Sequence, residues 1–314
     1  MRLRLSTGPH ILSSDTTQKK MLDVIIALVP TSVAGVYLFG VQALWVLCAS
    51  ILAAVATEFL YQKITGRHST IADLSAVLTG LLLGLNMPSA APLWVPVIGS
   101  IFAILIVKQL FGGIGDNFLN PALAARAVLL TSWPVQMTTF FLPQRLINLF
   151  AQSTAEVGDA MTSATPLAKG GYALMDLFYG NIPGTIGEVC KAAILIGFVY
   201  LVIRKTIDVE IPVLFVGAVA LLTWALKGNP LEAVLSGGVL FGAVFMATDY
   251  VTRPVVKAGQ YIYAIGAGLL VVLIRKYSAY PEGVTYAILL MNALSPLLDK
   301  FIKRRIYGEV KTRG

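Results

Sequence analysis

The stretch LTGLLLGLNMPSAAPLWVPV, residues 78–97, decides how the rest of the chain is read. It is a glycine-rich apolar run that ends in a proline-containing break, because Pro88 lacks an N–H and its ring clashes with a helical turn. A second stretch, LSGGVLFGAVFMATDYVTRPV at 235–255, resembles it, and GDNFLNPALAARAVLL from 115 loosely echoes GVTYAILLMNALSPLLDK from 283. Two such halves of five apolar runs each must have opposite orientation in a bilayer. That is the inverted-repeat arrangement, which builds a site near the midplane where the breaks of the two halves meet. Chance glycine and proline matches in apolar sequence are the plain alternative.

Composition supports a bilayer as the solvent. Of 314 residues, 57% are hydrophobic and only 13% are charged, against about a quarter charged in a soluble domain. A membrane helix needs roughly 20 apolar residues, because its backbone amides must be paired within the segment. Apolar runs fall at 22–39, 41–60, 73–87, 93–111, 120–136, 189–204, 210–226, 231–248, 260–274 and 284–301, which predicts an all-α membrane protein of about ten helices. The predicted organisation is a segment 1–21, a first repeat 22–136, a connection 137–188, a second repeat 189–301 and a basic tail 302–314. Cys48 and Cys190 have no CxxC spacing and no histidine pair nearby, which argues against a metal cluster or a disulfide framework. The basic N-terminus has no apolar core before residue 22, so a cleaved signal peptide is not expected.

The net charge of +8 is scattered through short connections without an aromatic-interleaved basic face, which argues against nucleic acid. Lys and Arg instead set the orientation. With the N-terminus inside, 17 of the 24 lie on the inner side, six on the outer side, and Arg126 within a run. Both termini are thus expected to be cytoplasmic, and the connection 137–188 is expected outside as a folded cap. Its apolar pieces, FFLPQRLINLFAQ and YALMDLFYGNIPG, would lie along the membrane surface.

Two polar, helix-breaking segments stand at the predicted inner face: GGIGDNFLNPA (112–122) and MATDYVTRP (246–254). At membrane depth such backbone is tolerated only where it is buried in protein or lines a cavity. Asn117 and Asn120 are three apart, so a helical turn would turn both carboxamides to one side, a set suited to the edge of a flat heteroaromatic ring. The plainer reading is that Asn120-Pro121 caps the next helix, with Gly112, Gly113 and Gly115 forming turns. Asp249 ends an apolar run between Thr248 and Thr252, where a carboxylate is costly enough to be a functional candidate. Cation binding, a hydrogen bond to a cofactor, and a salt bridge to Arg253 or Arg126 all fit it. Asp23, Glu58 and Asp73 also border runs and are read as snorkelling or helix N-terminal residues.

The external connection contains GDAMTSATPLAKG, residues 158–170. Neither His10 nor His68 is near it, which counts against a Ser/His hydrolase. The order Asp159, Ala160, Met161, Thr162, Ser163, Ala164, Thr165 matches the flavinylation pattern D-x-x-[ST]-x-A-T. With GGIGDNFLNPA and MATDYVTRP in the right order, the chain resembles, over about residues 20–303, the family of the D subunit of the Rnf complex and the homologous B subunit of the sodium-pumping NADH:quinone oxidoreductase.

The resemblance implies a fold similar to urea and ammonium channels, with ten helices in two inverted halves. It implies FMN joined by a phosphoester to Thr165 by a dedicated flavin transferase, which reads Asp159 and Thr162. Ser163 stands where the quinone-reductase relatives usually have glycine, while Ala164 keeps the pattern. Asn117, Asn120 and Asp249 match positions beside a second, non-covalent flavin, a riboflavin. The implied role is electron transfer in the bacterial inner membrane, in a translocase that couples ferredoxin:NAD electron transfer to outward sodium or proton movement. The implied partners are the other Rnf subunits, A, B, C, E and G, and membrane lipid. The chain would have no complete active site of its own and, without G-x-G-x-x-G after a strand, no contact with NAD. Only about 21 residues precede the first run, which favours the Rnf member of the family over the quinone-reductase member. A small-solute or ion channel without a redox cofactor is the reading from another class.

Overall fold

In the computed structural model the described residues are 16–67, 69–143, 172–278 and 283–302. Asp159, Thr162, Ser163, Ala164 and Thr165 lie outside them, as do both histidines and most of FFLPQRLINLFAQ. The described residues are helical without a strand; Pro88 and Thr185 form an isolated bridge. The first half holds α1 (Thr17–Phe39), α2 (Val41–Thr65), α3 (Ser75–Leu85), α4 (Trp94–Gln109), α5 (Pro121–Ser132) and the short α6 (Pro134–Thr138). The short α7 (Leu174–Tyr179) follows, then α8 (Lys191–Ile203), α9 (Glu210–Ala225), α10 (Pro230–Leu235), α11 (239–246), α12 (Lys257–Tyr277) and α13 (Val284–Phe301).

Every predicted apolar run falls on helix, but two are divided: 120–136 at Trp133 into α5 and α6, and 231–248 by Ser236–Gly238 into α10 and α11. Helices α1, α2 and α12 are long and apolar enough to cross a membrane, with mean hydropathies of 2.0, 2.0 and 1.5; the others are shorter. Polarity is distributed for lipid. Trp45, Leu52, Ile64, Leu221 and Trp224 point outward and are exposed, whereas Glu58, Asn86, Lys108, Arg126 and Asn292 are buried inside. A surface of that kind is unsuited to water and suited to hydrocarbon, and the chain is a membrane protein.

Small residues let the helices approach closely. A side chain at Gly80 in α3 would meet the backbone of Ser50 and Ile51 in α2 at 2.9 and 2.8 Å, and at Gly197 in α8 it would meet the carbonyl of Ala27 in α1. Ser50 Oγ donates to the Gly80 carbonyl at 2.7 Å and lies 3.0 Å from Ser100 Oγ, tying α2, α3 and α4 together. Helix α1 packs on α8, and α5 packs on α13.

Two helices widen into π turns, at Phe102–Gln109 in α4 and Gly242–Met246 in α11. Both stretches lead into the polar breaks predicted at the inner face. On the other end, the second apolar piece of the long connection forms α7 and then pairs with the break after α3. Gly187 N donates to the Leu85 carbonyl at 2.7 Å and Ile186 N to the Met87 carbonyl at 3.0 Å. Leu177, Ile182, Ile186 and Val189 are buried there, while Leu174, Met175 and Tyr179 of α7 are exposed.

Candidate functional site

Helix α5 begins where Asn120 and Pro121 supply an N-cap and a preset first turn. Asn120 Oδ1 accepts from Ala122 N at 3.1 Å and Leu123 N at 3.3 Å. The capping reading of Asn120 is thus correct, and a second contact goes with it: Asn120 Nδ2 donates to Asp249 Oδ2 at 3.4 Å, across 129 residues of chain. Asn117 Nδ2 donates to the Leu119 carbonyl at 3.1 Å. The two asparagines do not share a helical turn, as their spacing suggested. Glycines with φ of 109° at Gly113 and 101° at Gly115 turn the loop before Asn117 instead, a conformation that side-chain-bearing residues seldom adopt.

Asp249 follows the π turn of α11. Its Oδ1 accepts from Val251 N at 3.3 Å, and its Oδ2 accepts from Thr252 Oγ1 at 3.3 Å as well as from Asn120. Of the three roles open to it, the salt bridge is not formed among the described residues. Arg253 pairs with Asp208 at 2.8 Å, and Arg126 Nη1 donates to Asn86 Oδ1 at 2.7 Å. The break is also tethered from outside the site, since Asp299 accepts from Val255 N at 3.0 Å and Val256 N at 3.4 Å.

These segments enclose one pocket. Asn117, Asn120, Thr248 and Asp249 form its polar wall, Leu82 and Phe245 are on its apolar side, and Lys20 and Lys108 also line it. The cavity is about 90 Å³, several times the ~15 Å³ that admits one water on the same measure. The structure therefore brings together all three residues assigned to a second flavin. The pocket combines these polar residues with apolar lining, which suits a flat ring with a polar edge.

Behind Lys108 lies a cluster that the sequence reading missed. Glu58 is fully buried, which corrects its reading as a snorkelling residue. Its carboxylate receives Lys108 Nζ on both oxygens at 2.9 Å, and Oε1 also receives Gln109 Nε2 at 2.9 Å, Thr70 Oγ1 at 3.0 Å and Gln62 Nε2 at 3.2 Å. Lys108 Nζ donates further to Ser75 Oγ at 2.5 Å. The wide turn of α4 lets adjacent residues, Lys108 and Gln109, reach the same carboxylate. Asp23 is likewise buried rather than snorkelling; it pairs with Arg204 at 3.2 Å and accepts from Tyr200 and Thr206. Asp73 does sit at a helix start, accepting from Ser75 N at 2.9 Å. The signal available was two opposite charges, Glu58 and Lys108, each inside a predicted run.

Comparison with known proteins follows the same lines. A profile described as the NQR2, RnfD, RnfE family matches residues 4–308. The chain is 45% identical to the D subunit of the Na(+)-translocating ferredoxin:NAD(+) oxidoreductase complex of Acetobacterium woodii, over 100% of this chain and 98% of the relative. It is 41% identical to the D subunit of the proton-translocating ferredoxin:NAD(+) oxidoreductase complex of Clostridium ljungdahlii, over 97% and 96%. It is 35% identical to the D subunit of the ion-translocating oxidoreductase complex of Escherichia coli O127:H6, over 99% and 100%. Matches of this length take in both polar breaks and the helices that carry them, and the chain belongs to the NQR2, RnfD, RnfE family.

Proposed function

We propose that this chain is the membrane electron-transfer D subunit of an Rnf-type complex, which couples ferredoxin:NAD electron transfer to outward movement of sodium ions or protons. In this reading it crosses the bacterial inner membrane ten times in two inverted halves, with both termini cytoplasmic and residues 158–170 outside. The pairing of α1 with α8 and of α5 with α13 supports that symmetry, because it joins equivalent members of the two halves.

Thr165 carries FMN through a phosphoester made by a flavin transferase that reads Asp159 and Thr162; Ser163 and Ala164 complete the pattern. A second, non-covalent flavin of the riboflavin type occupies the inner pocket between Asn117, Asn120 and Asp249. Bound flavins would supply one- and two-electron transfer, and the chain supplies their position and surroundings. Asp249 would accept a hydrogen bond from the ring edge, and Asn120 holds Asp249 in place while starting α5. The other Rnf subunits deliver and remove the electrons.

The observation that carries this reading is the meeting of Asn117, Asn120 and Asp249 in one pocket, in a chain that also bears D-x-x-T-x-A-T. The test is in-gel fluorescence of the denatured, washed chain, made alongside an active flavin transferase. Yellow-green fluorescence that vanishes in Thr165→Val is expected. A colourless wild-type chain would refute the covalent flavin and leave the channel reading.

A further inference from the structure

Arg126 lies where the inner pocket ends. Leu82 and Phe245 line the pocket. Asn86, one turn beyond Leu82, donates to the Leu82 carbonyl at 2.6 Å and lies 3.8 Å from the sulfur of Met246, the neighbour of Phe245. Asn86 Oδ1 accepts from Arg126 Nη1 at 2.7 Å, and Asn86, Arg126 and Met246 are exposed by only 2, 4 and 1%. Beyond this layer Leu85 and Met87 are fully buried and paired to Gly187 and Ile186, so no lining residue of the pocket lies on that side.

The layer is also where two interrupted helices end. Asn86 is the C-cap of α3, and Met246 is the last residue of α11. Helix C-termini carry partial negative charge, and in transporters paired half-helix ends of this kind coordinate sodium ions or protons. Here the Arg126 guanidinium donates to the side chain of Asn86, the C-cap of α3. A fixed arginine in a pore is a barrier to cations, and a guanidinium keeps its charge in protein surroundings.

We propose that Arg126, positioned by Asn86, is the ion seal of this chain. Its fixed charge at the end of α3 closes the bundle to sodium ions and protons. Electrons can pass from pocket to outer flavin, while the transported ion crosses the complex by another route. The inference rests on the reading of the chain as part of an ion-translocating complex, and it goes beyond that reading by excluding an ion path through this bundle.

The test uses the whole complex in liposomes without electron donor, with an imposed sodium or proton gradient followed by a fluorescent reporter. Wild type should hold the gradient, Arg126→Gln should lose it on the order of tenfold faster or more, and Arg126→Lys should stay tight, since charge is the barrier. Arg126→His supplies two charge states in one preparation: leaky at about pH 8 and tight at about pH 5.5, against a flat wild-type profile. A Gln variant as tight as wild type, a Lys variant as leaky as the Gln variant, or a His variant insensitive to pH would each overturn the seal. Fluorescence at Thr165 is scored on the same preparations. Its absence from wild type would refute the electron-transfer reading, whereas a leak result refutes only the seal.

Discussion

The break after α3 and the break after α11 solve the same problem by different means. Both interrupt a helix inside the bundle, where unpaired amides are costly. The first is closed by backbone: Ile186 and Gly187 donate to Met87 and Leu85, and the buried Asn86 beside them is bonded to Arg126. The second is held by carboxylates, with Asp249 accepting from Val251, Thr252 and Asn120, and Asp299 accepting from Val255 and Val256. Backbone pairing leaves no polar side chain facing a void. Tethering by side chains leaves a polar-walled pocket open, and the candidate site is found there.

That contrast can be broken most severely at Glu58. Glu58→Ala leaves the Lys108 ammonium buried without its carboxylate, which is expected to cost ~3–5 kcal/mol. Thermal unfolding of the purified complex in detergent should show the loss, and the proposed non-covalent flavin, read in a Thr165→Val background, should go with it. Glu58→Gln, which keeps the shape but not the charge, should recover little. An unchanged melting profile for both would show that the pair does not hold this end of the bundle together.

The break after α3 should respond next. A methyl on Gly187 would lie 2.7 Å from Leu85 Cβ and 3.1 Å from its carbonyl oxygen. Gly187→Ala is therefore expected to destabilise by ~1–3 kcal/mol through overpacking. It should leave non-covalent flavin retention unaltered, because the pocket lies at the other break. Equal damage to retention would mean that the two breaks are mechanically one unit.

The smallest effect is expected at Asn120. Asn120→Ala removes the N-cap of α5 at a cost of ~1 kcal/mol and releases Asp249. Retention of the non-covalent flavin should fall further than stability does. Asn120→Ser restores a cap but cannot reach Asp249 in the same way, so it should rescue melting and not retention. If it rescues both, the asparagine is only a cap.

Apolar runs marked the helices because length and composition are local properties, and the helix boundaries of α2, α9 and α13 fall within a few residues of prediction. Asn120 and Asp249 were legible as polar residues at breaks, but their pairing was not, since 129 residues separate them. Glu58 looked peripheral because it stands near the end of a run, and only the three-dimensional meeting of α2 with α4 buries it. Asn86 drew no notice at all. A carboxamide after Leu85 reads as part of a Pro-containing turn until Arg126 arrives from α5 to bind it.

The π turn in α4 has a consequence for how such a gene can change in length. A π turn amounts to one extra residue accommodated within an α-helix, and each residue of a regular helix advances the chain by about 100°. Deleting a single codon between residues 103 and 107 would restore regular pitch and swing Lys108, Gln109 and the glycine loop behind them by that angle. Such a deletion would leave hydropathy unchanged while turning the pocket wall away from its carboxylate, so chain length here is fixed by geometry rather than by span.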